Sequence, residues 1–111
     1  MAIPLADRRI LVTGGAGFLG SHVVEELERR GVPRESVFIP RSAEYDLLQS
    51  DAVEKVFSDS DPDVVIHLAA VVGGIGANME RPGDFFYHNM KMGLELMERA
   101  RLQGVEKFVT V

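Results

Sequence analysis

Four glycines fall within seven consecutive positions near the start of this 111-residue chain, in Thr13-Gly14-Gly15-Ala16-Gly17-Phe18-Leu19-Gly20. Directly before them stands a short β-branched and aliphatic run, Arg9-Ile10-Leu11-Val12-Thr13. Directly after them, Leu19, Val23, Val24 and Leu27 recur at helical spacing, with acids and arginines on the other side and Gly31 as a stop. This order predicts a buried strand, a tight turn and a helix. Gly14 suits a turn that side chains forbid, Gly17 lets the main chain approach a ligand, and Gly20 lets the helix pack closely on its strand. Free amides at such a helix start favour an anion. The plain alternative is an ordinary β–α turn with no ligand.

Eight of the eleven glycines lie in two clusters, and the second, Gly73, Gly74, Gly76 and Gly83, follows another aliphatic run, Asp63-Val64-Val65-Ile66-His67-Leu68. Two further strands are predicted, at Ser36 to Ile39, ended by Pro40, and at Lys107 to Val111. Asp51-Ala52-Val53-Glu54 reads as a capping box opening a helix through Phe57. A third helix is predicted from about Asp84 to Gln103, terminated by Gly104. Its apolar arc joins Phe85, Phe86, Met90, Met92, Leu94, Leu96, Met97 and Ala100, with Lys91, Glu95 and Glu98 opposite. One sheet face does not need so broad an arc, so a second helix, from this chain or a partner, is expected against it. The order β-α-β-α-β-α-β implies a parallel sheet with right-handed crossovers.

Composition narrows the function. Seventeen acidic residues against twelve basic ones give a net charge of −5, so no nucleic acid or anionic membrane partner is expected. The chain has no cysteine, which removes disulfides, thiolate metal sites and a cysteine nucleophile and suits a cytoplasmic setting. The opening residues lack the basic segment and long apolar core of a secretory leader. The apolar window from Val64 to Ala77 is shorter than the roughly 20 residues of a membrane helix. His22, His67 and His88 show no metal-ligand spacing, and no metal is expected. A strand-end histidine with a hydrogen-bond partner is the expectation for His67.

Phosphate recognition must therefore be local. In folds of this order the tip of the second strand reads the adenosine ribose, with an acid for a free 2′-hydroxyl or an arginine for a 2′-phosphate. Here it reads Pro40-Arg41-Ser42. Arg41, helped by the Ser42 hydroxyl, is predicted to accept a 2′-phosphate, which favours NADP over NAD; a solvated loop arginine is the alternative. Asp46-Leu47 is placed to reach the adenine, though Asp46 serves equally well as a turn acid. Ala69 and Ala70 are small enough for a ribose to lie against, or simply pack in the core. No G-K-[ST] is present, which disfavours a Walker-type nucleotide hydrolase.

T-G-G-A-G-F-L-G at 13–20, Asp46-Leu47 and His67-Leu68-Ala69-Ala70 together resemble the extended short-chain dehydrogenase/reductases, the NAD-dependent epimerase/dehydratase family, over essentially the whole chain. Val72-Gly73-Gly74-Ile75 with Ala77-Asn78, then Pro82, Phe85 and Asn89, resembles the GDP-L-fucose synthase branch, which converts GDP-4-keto-6-deoxy-mannose with NADPH. The resemblance implies an α/β fold: a Rossmann-type parallel sheet with helices on both faces, incomplete at about four strands and three helices. It implies cofactor contacts at Gly14, Gly17, Phe18, Leu19, Gly20, Arg41, Asp46, Leu47, Leu68, Ala69 and Ala70. Gly73, Gly74, Ile75 and Asn78 would border a nucleotide-sugar substrate, and Asn89 would be either catalytic or a structural tie.

The family also uses a Ser or Thr after the fourth strand and a later Tyr-x-x-x-Lys pair. Tyr87-His88-Asn89-Met90-Lys91 matches that spelling but precedes the fourth strand, so it is read as accidental. Residues 1–111 are thus expected to form an N-terminal NAD(P)-binding portion without catalytic residues or a substrate domain, inactive alone. A NAD-dependent 4-epimerase or dehydratase portion and a non-catalytic dinucleotide-binding module are the alternatives. An uncovered sheet edge and third helix imply a homo-oligomer.

Overall fold

The computed structural model describes residues 4–70 and 82–111. Its elements run β1 (Ile10–Thr13), α1 (Phe18–Arg29), β2 (Val37–Phe38), α2 (Ser50–Ser60), β3 (Val64–His67), α3 (Pro82–Gln103) and β4 (Lys107–Thr110). The four strands form one parallel sheet in the order β2-β1-β3-β4. Ile10 pairs with Val37 and Val64, and Val64 in turn with Lys107, so the strands begin level with one another. This is the incomplete Rossmann-type α/β sheet that the alternation of patterns predicts.

Both faces of the sheet are covered because its two central strands are apolar from Ile10 to Val12 and from Val64 to Ile66. On one face Ile10, Val12 and Val64 meet Val24 and Leu27 of α1. On the other, Leu11 and Val65 meet Val53, Val56 and Phe57 of α2 and Met92, Leu96 and Ala100 of α3. The amino ends of the strands are tied by charge. Asp63 accepts the backbone N–H of Arg9 at 2.8 Å, Arg9 pairs with Asp61, and Arg8 pairs with Glu106. The Arg9 amide, and then its guanidinium, hold the Asp63 carboxyl below its ordinary pKa.

Three local expectations are corrected. The helix α2 begins at Ser50 with Gln49 as its N-cap, and no side chain caps it. Asp51 lies inside the first turn, where its carboxylate accepts the N–H of Ala52 and complements the positive end of the helix, so Asp51-Ala52-Val53-Glu54 is no capping box. Strand β2 is only two residues, shorter than Ser36 to Ile39.

The arc on α3 divides. Met92, Leu96 and Ala100 are buried, whereas Phe86 is 68% exposed, Leu94 59%, and Met90 and Met97 48% each. Lys91 is not on the far face; half-buried, it donates from Nζ to the Leu48 carbonyl at 2.6 Å. The reason is the position of α2 and the segment before it, which take the polar flank of α3 and leave part of its apolar arc to solvent.

Candidate functional site: a cleft at the carboxyl ends of the strands

The carboxyl ends of β1, β2 and β3 open on one cleft of about 500 Å3, within the size range of small-ligand sites. Its first wall is the β1–α1 turn, from Gly14 to Gly17. Gly14 has φ +74°, and a Cβ there would come within 2.8 Å of the Ala69 amide nitrogen. At Gly20 a Cβ would lie 1.9 Å from the Gly14 carbonyl oxygen. These two positions exclude side chains for different reasons: Gly14 by conformation and crowding, Gly20 because α1 rests on the turn itself. Gly17 N–H closes the turn on the Gly14 carbonyl at 3.0 Å, and the first helical bond runs from Ser21 N–H to the Gly17 carbonyl. No side chain caps α1, so the amides of Phe18, Leu19 and Gly20 have no intrahelical acceptor.

The second wall is the segment after β2. Pro40, Arg41, Ser42 and Ala43 line it, and the Arg41 guanidinium has no ion-pair partner among the described residues. Backbone bonds from Glu44 and Tyr45 to the Arg41 carbonyl wind this tip into a turn. Asp46 and Leu47 continue the lining. The Asp46 carboxylate accepts the Leu48 N–H at 3.1 Å, so it acts as a turn acid while bordering the cleft. Ala69 and Ala70, beyond β3, form the third side.

Of the residues singled out by sequence, Gly14, Gly17, Arg41, Ser42, Asp46, Leu47, Ala69 and Ala70 line this cleft. Phe18, Leu19, Gly20 and Leu68 are not among its lining. Phe18 is 85% exposed at the head of α1 with its ring against His22, Leu19 is also exposed, and Leu68 packs on the α1 face. Gly73, Gly74, Ile75 and Asn78 lie outside the described residues.

Sequence reasoning missed several participants. Gly15 fits under Ile39, whose side chain would stand 2.9 Å from a Cβ. Tyr45, buried, lines the cleft while its hydroxyl donates to Asp59 at 2.8 Å; that bond, and then Lys55, hold the Asp59 carboxyl below its usual range. Met92 reaches the cleft from α3. Thr13 and His67 meet at 2.6 Å, Oγ1 to Nδ1, both buried, so His67 is the partnered strand-end histidine expected. No local pattern announces that pair, since it joins residues 54 apart; adjacent strand ends alone would suggest it.

Tyr87 is exposed, in the first half of α3, with its ring against His88, and is not among the residues lining the cleft. Phe85 and Asn89, residues of the same helix, are each engaged in an interaction.

Comparison with known proteins agrees with this geometry. Residues 10–111 match the model of a family described as NAD dependent epimerase/dehydratase. A probable GDP-L-fucose synthase of Drosophila melanogaster is 33% identical over 103 residues, 93% of this chain and 32% of that protein. A GDP-L-fucose synthetase from Naegleria fowleri, crystallised with NADP, has a TM-score of 0.78 at 32% identity, over 95% of this chain and 31% of its own. A UDP-glucose 4-epimerase of Thermus thermophilus, in complex with NAD, has a TM-score of 0.74 at 38% identity, over 90% of this chain and 36% of its own. The chain spans about a third of the length of the curated relatives it matches.

Proposed function

The chain belongs to the NAD dependent epimerase/dehydratase family, and from that premise we propose that residues 1–111 are the NADP-binding portion of a nucleotide-sugar epimerase/reductase of the GDP-L-fucose synthase kind. The observation that carries this is the Arg41 guanidinium, without an ion-pair partner among the described residues, across one cleft from an uncapped helix start. A diphosphate between them meets backbone amides and the helix dipole, and a 2′-phosphate meets a cation. These residues fit the dinucleotide: the turn at Gly14 to Gly17 leaves room for phosphate oxygens, and Ala69 and Ala70 offer a flat wall to a ribose.

The nicotinamide, when bound, supplies the hydride chemistry; this portion of the chain binds and orients it. The Ser/Thr and Tyr-x-x-x-Lys that the family uses for proton transfer are assigned to chain outside these residues, together with most contacts to the nucleotide sugar. Residues 73–78 are proposed to border that substrate, GDP-4-keto-6-deoxy-mannose. We assign the protein to the cytoplasm, on its lack of cysteine, and expect self-association through α3.

The 38% identity with a 4-epimerase crystallised with NAD favours a second reading, an NAD-dependent epimerase portion. One titration separates the two. Calorimetry with NADP and NAD should show preference for NADP in the wild type, lost in Arg41→Ala with about 1.5–3 kcal/mol of NADP affinity. A wild-type preference for NAD would assign the cleft to NAD, and equal affinities or an NADP preference untouched by Arg41→Ala would remove the role given to Arg41.

A further inference from the structure

The hydroxyl of Thr13 is a junction for both inner walls of the cleft. Leu68 N–H and Ala69 N–H each point to Oγ1 at 3.1 Å, while His67 Nδ1 stands 2.6 Å away. A hydroxyl has two acceptor sites and one proton. Ala69 takes one acceptor site and Leu68, which it shares with the Thr13 carbonyl at 3.0 Å, leans on the other, so the short third contact is best served by the hydroxyl's own hydrogen. On that assignment Thr13 donates to Nδ1, and the imidazole is the neutral form carrying its proton on Nε2. A proton on Nδ1 would turn two donors toward each other. To accept from the ring the hydroxyl would then release Ala69, or leave Leu68 to the Thr13 carbonyl alone.

That exchange would be felt in the cleft. Ala69 lines it directly, and its amide nitrogen is the atom that a Cβ on Gly14 would strike. The spacing between the glycine turn and the β3 tip is thus set by a contact one atom deep, and Thr13 fixes it. Accordingly, resting on the dinucleotide reading above, we propose that His67 is a positioning residue: neutral, it holds Thr13 and hence both walls in the shape that accepts the coenzyme, and protonated, it releases them.

The surroundings leave the ring alone in this role. It is flanked by Thr13 of β1, and by Phe108 and its register partner Thr110 of β4. Of the ionisable groups on the two helices of that face, Lys55 and Asp59 pair with Tyr45, Glu54 with Arg99, Lys91 with Leu48, Glu98 with Arg101, and Asp51 with the Ala52 N–H, while Asp84 and Glu95 complete the set. The His88 ring packs on Tyr87. Burial, with no charge partner among the described residues, pushes the His67 pKa below its ordinary 6.5. The unfolded chain then binds this proton more readily than the folded one. The contribution to stability is complete above pH 6.5 and falls as the pH drops from there through the folded-state value.

Two measurements on the 111-residue chain decide the matter. In nitrogen-detected NMR at about pH 7.5, above the ordinary imidazole range, the His67 ring should show a bare Nδ1 and a protonated Nε2. On acidification the Leu68 and Ala69 amide signals should move with the ring's own midpoint. A protonated Nδ1 at that starting pH, or amides indifferent to the ring, would overturn the proposal whether or not a coenzyme binds. NADP affinity at about pH 7.5, above the ordinary imidazole range, and at a pH below the ring midpoint found by NMR is then compared between wild type and His67→Asn, whose amide oxygen can accept from Thr13 but cannot titrate. The comparison cancels the coenzyme's own phosphate ionisation. The wild type should lose about tenfold more affinity than the variant over that interval, and parallel losses would overturn the proposal. Thr13→Val, checked for folding by circular dichroism, should abolish the excess loss; retention of it would count against the junction. Absence of NADP binding by the wild type at the higher pH would instead refute the dinucleotide reading and leave the ring measurement to judge the clamp.

Discussion

A methyl group is enough to test the β1–α1 turn. At Gly20 the added carbon of alanine would meet the Gly14 carbonyl oxygen, a backbone atom with no rotamer to turn away. Gly20→Ala should therefore cost about 1–3 kcal/mol of stability through forced displacement, read as a lower urea midpoint. It should also weaken coenzyme binding, because the displaced atoms belong to the cleft wall. Alanine at Gly83, where nothing among the described residues lies within 4 Å, is the matched control and should leave the midpoint unchanged or raised. Gly14 and Gly20 were legible in the sequence because spacing between a strand and a helix leaves few conformations for the turn. Arg41 was legible by its place after β2. Thr13 with His67, and Tyr45 with Asp59, were not, since each depends on which side chains a fold brings together and neither leaves a local pattern.

Among the elements, α3 shows most clearly what periodicity can and cannot settle. Its extent was readable from the run between Asp84 and Gly104, and Gly104 does terminate it, at φ +72°. Its broad arc was readable too, but the allocation of that arc was not: Met92, Leu96 and Ala100 took the sheet, and Phe86, Met90, Leu94 and Met97 stayed in water. Helical spacing specifies an angle about an axis, and only the neighbours choose the direction of burial. Likewise Asp51 signalled a helix start and missed the first residue, because a carboxylate serves the first turn from inside as well as from the cap. Contiguous apolar side chains of this kind favour association. Sedimentation at rising concentration should show the wild type self-associating and the double variant Met90→Glu/Leu94→Glu remaining smaller; identical profiles would remove α3 from the interface.

At the scale of the whole molecule the sheet order places β1 and β3 side by side at its centre, so the chain leaves them in opposite directions and the gap between the first and third connections becomes the cleft. The β-α alternation foretold this crevice, and the helices on its two faces follow from strands that are apolar on both. Among the described residues the cleft assembles binding groups and no pair suited to moving protons to a sugar. The purified chain with NADPH and GDP-4-keto-6-deoxy-mannose should accordingly oxidise no coenzyme above background, followed at the reduced nicotinamide's absorbance. Turnover would place the chemistry within these residues, and Tyr87→Phe would then be the first variant to examine.

Strand β2 is two residues long and lies at the margin of the sheet, yet the loop it carries supplies Arg41. On the proposed reading, discrimination between two coenzymes is delegated to a two-residue strand at one margin of the sheet, while the shared chemistry of a diphosphate is entrusted to the middle. Substitutions over 40–43 can retune the preference with little penalty in folding, whereas an equal number at the tips of β1 or β3 would dismantle the pocket. A lineage built on this plan can exchange one reductant pool for another without redesigning its scaffold.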